Sequence, residues 1–310
     1  MDANEKSGAL PARRRFLAGA ALGAGGLGAL ALTGCTNSPA AAASAGSSAP
    51  SVTASGSDLL GKWVKTGKAV IGVDTTGPPV SFRNAKGEPT GFDIQLLEMM
   101  MSDIGAKVTW VETPFANLIA AQAAGKIDMP GNPMTALPSR SLEGFFASFP
   151  VFYEGSFMWL RPGSTVTDIS QLASSHISVL AGSAQLYSGQ LLLPNATFLP
   201  FAQASDVISE VATGRADATL ISEFEILSAA SANKNMRIMS GPPVLVDPNT
   251  YFMPTGDFTT QLFITNWLRY YAAHGVLSSL WGKWLGAAAA AKLGLHLTGV
   301  GPGGETVNLD

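Results

Sequence analysis

Between residues 68 and 112 the chain changes its hydrophobic period twice. KAVIGVD (68–74) is a short apolar run of strand length, GFDIQLLEMMMSDIG (91–105) puts Leu96, Leu97, Met100 and Ile104 on one helical face, and AKVTWVE (106–112) returns to a strand-like run. Short apolar runs alternating with helical periods predict an α/β fold. FANLIAAQAAG (115–125) predicts a further helix stopped by Gly125, with a strand in KIDMP behind it.

The second half repeats the alternation. DISQLASS (168–175) precedes a strand at HISVL (176–180), a helix begins near Ser183, and SDVISEVATG (205–214) predicts a helix with Ser205 as its N-cap, followed by the strand DATLI (217–221). QAAGKIDM (122–129) and VATGRADA (211–218) share a helix end, a glycine, a basic residue, an apolar residue and an aspartate. That echo supports two similar α/β lobes. FTTQLFITNWLRYYAAHGVLSSLWGKWLG (258–286) sets Leu262, Phe263, Trp267, Leu268 and Tyr271 at helical spacing with a break at Gly275, and the tail beyond it has glycine and proline without a period.

At 310 residues, 46% hydrophobic and 13% charged, the chain can bury a large core. A formal net charge of −3 gives no basic excess for nucleic acid. His176, His274 and His296 are far apart and Cys35 is the single cysteine, so no segment has metal-ligand spacing and no intrachain disulfide can form. No phosphate-binding loop and no nucleophile elbow occurs, and no cofactor is implied. RRRFLAGAALGAGGLGALALTGC sets arginines before an apolar run softened by glycine, the form of an export signal rather than of a retained membrane helix. Arg13, Arg14, Phe16 and Leu17 match the R-R-x-F-L core of twin-arginine signals, and Leu32, Thr33, Gly34 and Cys35 resemble the bacterial lipobox, which would leave Cys35 as a lipid-bearing first residue. Residues 1–35 are then the signal with its lipidation site. Residues 36–57 are uncharged and poor in large apolar side chains and read as a tether. Loss of residues 1–34 removes two acids and four bases and leaves a body at −5.

From residue 60 to 286 a set of ordered motifs accumulates: P-x-S-F near the first strand, G-F-D opening a helix, G-K-x-D, M-T-x-x-P-x-R, and G-R-A-D. This order resembles the extracytoplasmic solute-binding proteins of polar amino-acid ABC transporters, family 3. The resemblance implies a type II periplasmic-binding-protein fold: lobe 1 from 58–155 and 252–286, lobe 2 from 156–251, joined by two crossovers around a ligand cleft, with 287–310 as a tail. It implies a monomer at the outer face of the membrane, handing a small carboxylate-bearing solute to a permease. Arg140 falls on the arginine that grips the ligand carboxylate, Thr135 on a hydroxyl facing the ligand, and Leu137 lies in the same segment. Phe115 matches an aromatic wall, Asp74 a cleft-edge acid, and Gly182 with Ser183 a turn whose helix N-terminus donates N–H groups. Where amino-acid binders carry an aspartate for the ligand ammonium, this chain has Ser222, and Glu223 is the nearest other acid.

Ser222 and Glu225 stand three apart in S-E-F-E. As a capping box they would use each other's backbone N–H groups and keep Glu225 ionised. A second resemblance, to the periplasmic cyclohexadienyl dehydratases on the same fold, places Glu225 at an acid of that reaction, while their G-G-T-N turn reads Gly182-Ser183-Ala184-Gln185 here. The cap reading predicts a binding protein without catalytic residues; the dehydratase reading is the alternative.

Overall fold

The computed structural model describes residues 58–285. Arg13, Arg14, Cys35, the tether 36–57 and the tail 287–310 lie outside the described residues. The first helix, α1 (Leu59–Thr66), starts where the Asp58 carboxylate accepts the Gly61 N–H at 2.7 Å. Strand Lys68–Val73 then pairs in parallel with Lys107–Glu112 on one side and with Met129–Pro130 on the other. Between the first two strands, α2 (Phe92–Asp103) buries Leu96, Leu97, Met100 and Met101 in a core shared with Trp63, Trp267 and Trp281. These methionines are packing residues; burying such a side chain contributes roughly 1.5–3 kcal/mol. The helix expected over 115–125 is split into a 3₁₀ turn, Phe115–Asn117, and α3 (Leu118–Ala123). At its start Asp74 takes the Phe115 N–H at 2.7 Å.

The internal echo has a structural basis. Gly125 and Gly214 both adopt left-handed φ, +68° and +76°, just past a helix end, as the Cβ-free residue can. Behind each, the aspartate donates its N–H to a carbonyl of the neighbouring parallel strand: Asp128 to Val70 at 2.7 Å, Asp217 to His176 at 2.9 Å. The same two carboxylates accept the Val70 and His176 N–H groups at 2.9 and 3.0 Å. One helix-turn-strand unit is thus used once in each half.

In the second lobe, strand His176–Leu180 lies in parallel between Thr197–Phe201 and Ala218–Ser222. Its helices are α4 (Ala184–Leu192), α5 (Ala204–Ala212) and α6 (Glu223–Ala229). Ser183 caps α4 as expected, its hydroxyl accepting the Leu186 N–H. Ser205 is not a cap: α5 begins at Ala204, buried at 6% exposure, and Gln203 occupies the N-cap without a side-chain bond. Packing of Ala204 moves the helix start one residue ahead of the polar signal.

Two adjacent antiparallel strands join the lobes. Phe152–Leu160 pairs with Ala218–Ser222 and with Leu245–Thr250, and the latter reaches back to Met134–Thr135 through Asn249↔Thr135. The chain returns through α7 (Phe258–Ala273) and α8 (Val276–Leu285), separated at Gly275 as expected. Trp267 and Leu268 are buried, but Leu262 is 61% exposed and packs no core. Trp281 of α8 stands edge-on to Phe92 and Phe224, with ring centroids 5.0 and 5.5 Å apart, so α6 of the second lobe is seated in an aromatic box of the first. Among the described residues no helix is long and apolar enough to cross a membrane.

Candidate functional site

The carboxyl ends of parallel strands are where open α/β sheets place their ligands, and the chain puts polar side chains there. Asp74 follows the first strand. Its Oδ1 accepts the Thr76 N–H and hydroxyl at 2.9 and 2.6 Å, and its Oδ2 accepts the Phe115 N–H. Asn132 clasps the Asp74 backbone in both directions, at 2.8 and 3.2 Å. The loop carrying Thr76 and the turn carrying Phe115 are therefore fixed to one carboxylate.

Arg140 sits on a 3₁₀ turn, 7% exposed. Its Nη1 donates to the Thr135 carbonyl at 2.8 Å and its Nη2 to the Gly182 carbonyl at 2.7 Å, one acceptor from each lobe. The guanidinium carbon lies 5.6 Å from the centroid of the Phe115 ring, a cation–π distance. Burial lowers the Arg140 pKa to about 10 while Glu154 and Asp247 pull it up, so the group is charged at neutral pH. Gly182 has φ +72°, and a Cβ there would meet Cα of Ala116 at 3.2 Å. Glycine at 182 lets the lobes touch.

Opposite Arg140 the floor is acidic. Glu154, on the strand Phe152–Leu160, accepts Asn249 Nδ2 at 2.7 Å and Gln185 Nε2 at 3.3 Å. Burial raises its pKa, hydrogen bonds from Ser222, Asn249 and Gln185 lower it, and Asp247 adds repulsion that raises it. Burial pushes the Glu225 carboxyl up to about 7, with repulsion from Glu154 adding to the rise, and its Oε2 is enclosed without a partner. Asp93, 2% exposed, is raised well above the ordinary range by burial and then by Glu154, and its Oδ1 is likewise enclosed without a partner.

One cavity of about 100 Å³ is lined by Asp74, Phe115, Thr135, Arg140, Ser183, Ser222 and Glu225. Those are seven of the side chains singled out in the sequence. Leu137 does not line it: the side chain is buried and its N–H donates to the Thr135 carbonyl. Gly182 does not line it either and serves Arg140 through its carbonyl. Glu223 turns away, its Oε1 accepting the Gly155 N–H at 3.3 Å. Glu154, Asp93, Asn132, Gln185 and Asn249 also line the cavity and were not anticipated. Glu154 had a readable signal, a lone charge inside the apolar run FPVFYEGSFMWL, since unpaired charges are seldom placed in cores.

The capping box is corrected. Ser222 is the N-cap of α6, but its hydroxyl accepts the Phe224 N–H at 3.1 Å rather than that of Glu225, whose carboxyl lines the cavity. Buried beside Glu154, Glu225 holds its proton to about pH 7, where the cap reading had it ionised. Its side chain faces the cavity rather than closing a helix.

The model of the bacterial extracellular solute-binding proteins, family 3, matches residues 69–287. The lysine/arginine/ornithine-binding periplasmic protein of Escherichia coli (strain K12) is 33% identical over 156 residues, which cover 49% of this chain and 60% of that protein. The L-cystine-binding protein of Bacillus subtilis (strain 168) is 25% identical over 228 residues, 70% of this chain and 84% of that one. Both are named for the amino acids they bind. Among solved structures, an ancestral amino acid-binding protein, a precursor of cyclohexadienyl dehydratase, superposes with a TM-score of 0.66 at 25% identity, covering 73% of this chain and 99% of that one. The solute receptors for L-cysteine of Neisseria gonorrhoeae superpose with a TM-score of 0.69 at 21% identity, covering 75% and 95%, a likeness of fold.

Proposed function

The chain belongs to the bacterial extracellular solute-binding proteins of family 3, and from that membership we propose that it captures a small carboxylate-bearing solute, an amino acid or a close relative, and delivers it to an ABC permease. The observation that carries the reading is Arg140, the only base lining the cavity among the described residues, buried and held between both lobes. A guanidinium presents a planar fork that matches a carboxylate. The first N–H groups of α4, at Ala184 and Gln185 on the cavity wall, add a second set of donors for the same anion. Phe115 forms the wall and Thr135, Ser183 and Asp74 the polar rim. Lobes 58–155 with 252–286 and 156–251 close over the ligand about the two crossing strands, as hinged binding proteins do. The relatives named for lysine, arginine, ornithine and cystine support the amino-acid class. A thermal-shift panel of amino acids and their 2-oxo counterparts tests it: a ligand at a hundredfold excess over its Kd adds about 2.7 kcal/mol to stability. A panel without any shift would sink the reading.

The same protein is proposed to work as a monomer at the outer face of the membrane, exported by Arg13–Arg14 and anchored through a lipidated Cys35. Its lobes would then reach the permease on the tether 36–57. Cys35→Ser is expected to release the protein from the membrane fraction into the soluble one. Retention of that variant on membranes would return residues 16–33 to the role of an uncleaved span.

A further inference from the structure

We propose that Glu154 and Glu225 together form the seat for a cationic amine of the ligand, replacing the single aspartate that position 222 lacks, and that the seat exchanges a shared proton for that amine on binding. This rests on the carboxylate reading above and extends it to the other end of the ligand.

The geometry begins with Ser222. Its hydroxyl lines the cavity together with both carboxyls, one from the strand Phe152–Leu160 and one from α6, while its oxygen accepts the Phe224 N–H. A hydroxyl has one hydrogen to donate. It cannot satisfy two carboxylates at once, so one of the pair is best accommodated as the acid. Glu154 has the better claim to charge, because both its oxygens accept amide donors from Asn249 and Gln185. Glu225 is left with an enclosed oxygen that nothing reaches. An ammonium brings three donors to such a place: one for that oxygen, one for Glu154 and one for the Ser222 hydroxyl.

Charge balance points the same way. The ionisable groups facing the pair are Asp74 from the loop after the first strand, Asp93 from α2, Arg140 from its 3₁₀ turn and Asp247 from the return strand; α4 contributes only the neutral Gln185. Four carboxyls line the cavity against one guanidinium. Asp74 is committed to N–H and hydroxyl donors, while burial raises the Asp93 carboxyl well above the ordinary range. Glu154 and Glu225, both half-buried on the same cavity, remain in surplus, and two neighbouring carboxyls taken out of water retain a proton unless a cation replaces it. Among the described residues no group of His, Cys, Asp and Glu is arranged to hold a metal ion. The fitting cation is an organic amine. A ligand bearing only a carboxylate would leave the enclosed Glu225 oxygen unmet.

Calorimetry on the purified protein tests this, with L-lysine, L-arginine, L-ornithine, L-glutamine and L-cystine as probes, beside the 2-oxo counterpart of whichever binds tightest. The amino acid should bind at least about 30-fold tighter than its 2-oxo counterpart, as expected for loss of one buried charge pair. Titrations in two buffers of different ionisation enthalpy should register proton release at about pH 6 that fades by about pH 8. Glu154→Gln and Glu225→Gln should each weaken the amino acid about tenfold or more, and the double variant should release no proton while still binding the 2-oxo acid through Arg140. An amino acid held within about threefold by the double variant overturns the seat, and so does binding without proton release. If Arg140→Ala abolishes binding while the double variant does not, the carboxylate reading survives alone. If no probe binds, both readings fall together.

Discussion

Truncating Arg140 to alanine removes more than a ligand contact. The Thr135 carbonyl in lobe 1 and the Gly182 carbonyl in lobe 2 lose charge-assisted donors at 2.8 and 2.7 Å, and Glu154 and Asp247 lose a neighbouring cation. Each such bond to a charged group is worth about 1.5–3 kcal/mol where it is made. For the ligand, loss of one partner in a buried charge pair costs about 2–5 kcal/mol, or roughly 30-fold to several thousandfold in Kd. A micromolar binder is thereby expected to become a millimolar one or worse. Arg140→Lys retains the charge but not the fork, and should recover only part of the affinity. Calorimetry measures the constants, circular dichroism checks that the variants fold, and small-angle scattering follows the lobes. Because the Gly182 bond spans the cleft, the ligand-free variant should also populate a more open form. Unchanged affinity in a folded Arg140→Ala protein would refute the assignment of the carboxylate to this residue.

Stability should depend on pH through Glu225. Its folded pKa of about 7 lies above its ordinary 4.5, so the stability it contributes is complete below that ordinary value and is lost as pH rises through about 7; thermal melts of ligand-free protein should fall across that window, and Glu225→Gln should flatten the fall. Ser222→Asp keeps a competent N-cap but sets a third carboxyl against Glu154 and Glu225, so it should lower the melting temperature at neutral pH without improving amino-acid affinity, and a clear affinity gain by calorimetry would contradict this. Purified protein should form no phenylpyruvate from prephenate, read by absorbance: Glu225 has the raised pKa a general acid needs, but the second-lobe turn is Gly182-Ser183-Ala184-Gln185 and the relatives are binding proteins.

The repeating strand–helix pattern was legible because it depends on local period, and so was the echo, whose glycines and aspartates each have a role fixed by backbone geometry. Arg140, Thr135 and Phe115 were legible through ordered motifs. Ser205 and the capping box misled for one reason: capping preferences are worth about 1 kcal/mol and yield to packing, here of Ala204 against the core and of Glu225 into a cavity. Glu154 was missed because its meaning is created by residues distant in sequence. Asn249 lies 95 positions away, and it pairs Thr135 with Glu154 across three strands.

Glu154 is carried by the crossing strand itself, two residues after that strand begins, whereas Arg140 and Gly182 face each other across the gap between lobes. In a hinged clamp, points near the axis scarcely travel and points far from it sweep the whole arc. Glu154 thus scarcely moves as the lobes swing, while Arg140 and Gly182 part and meet again. In the proposed clamp, the carboxylate grip would be complete only as the jaws arrive. A solute with the wrong far end can enter and leave without ever completing the bite.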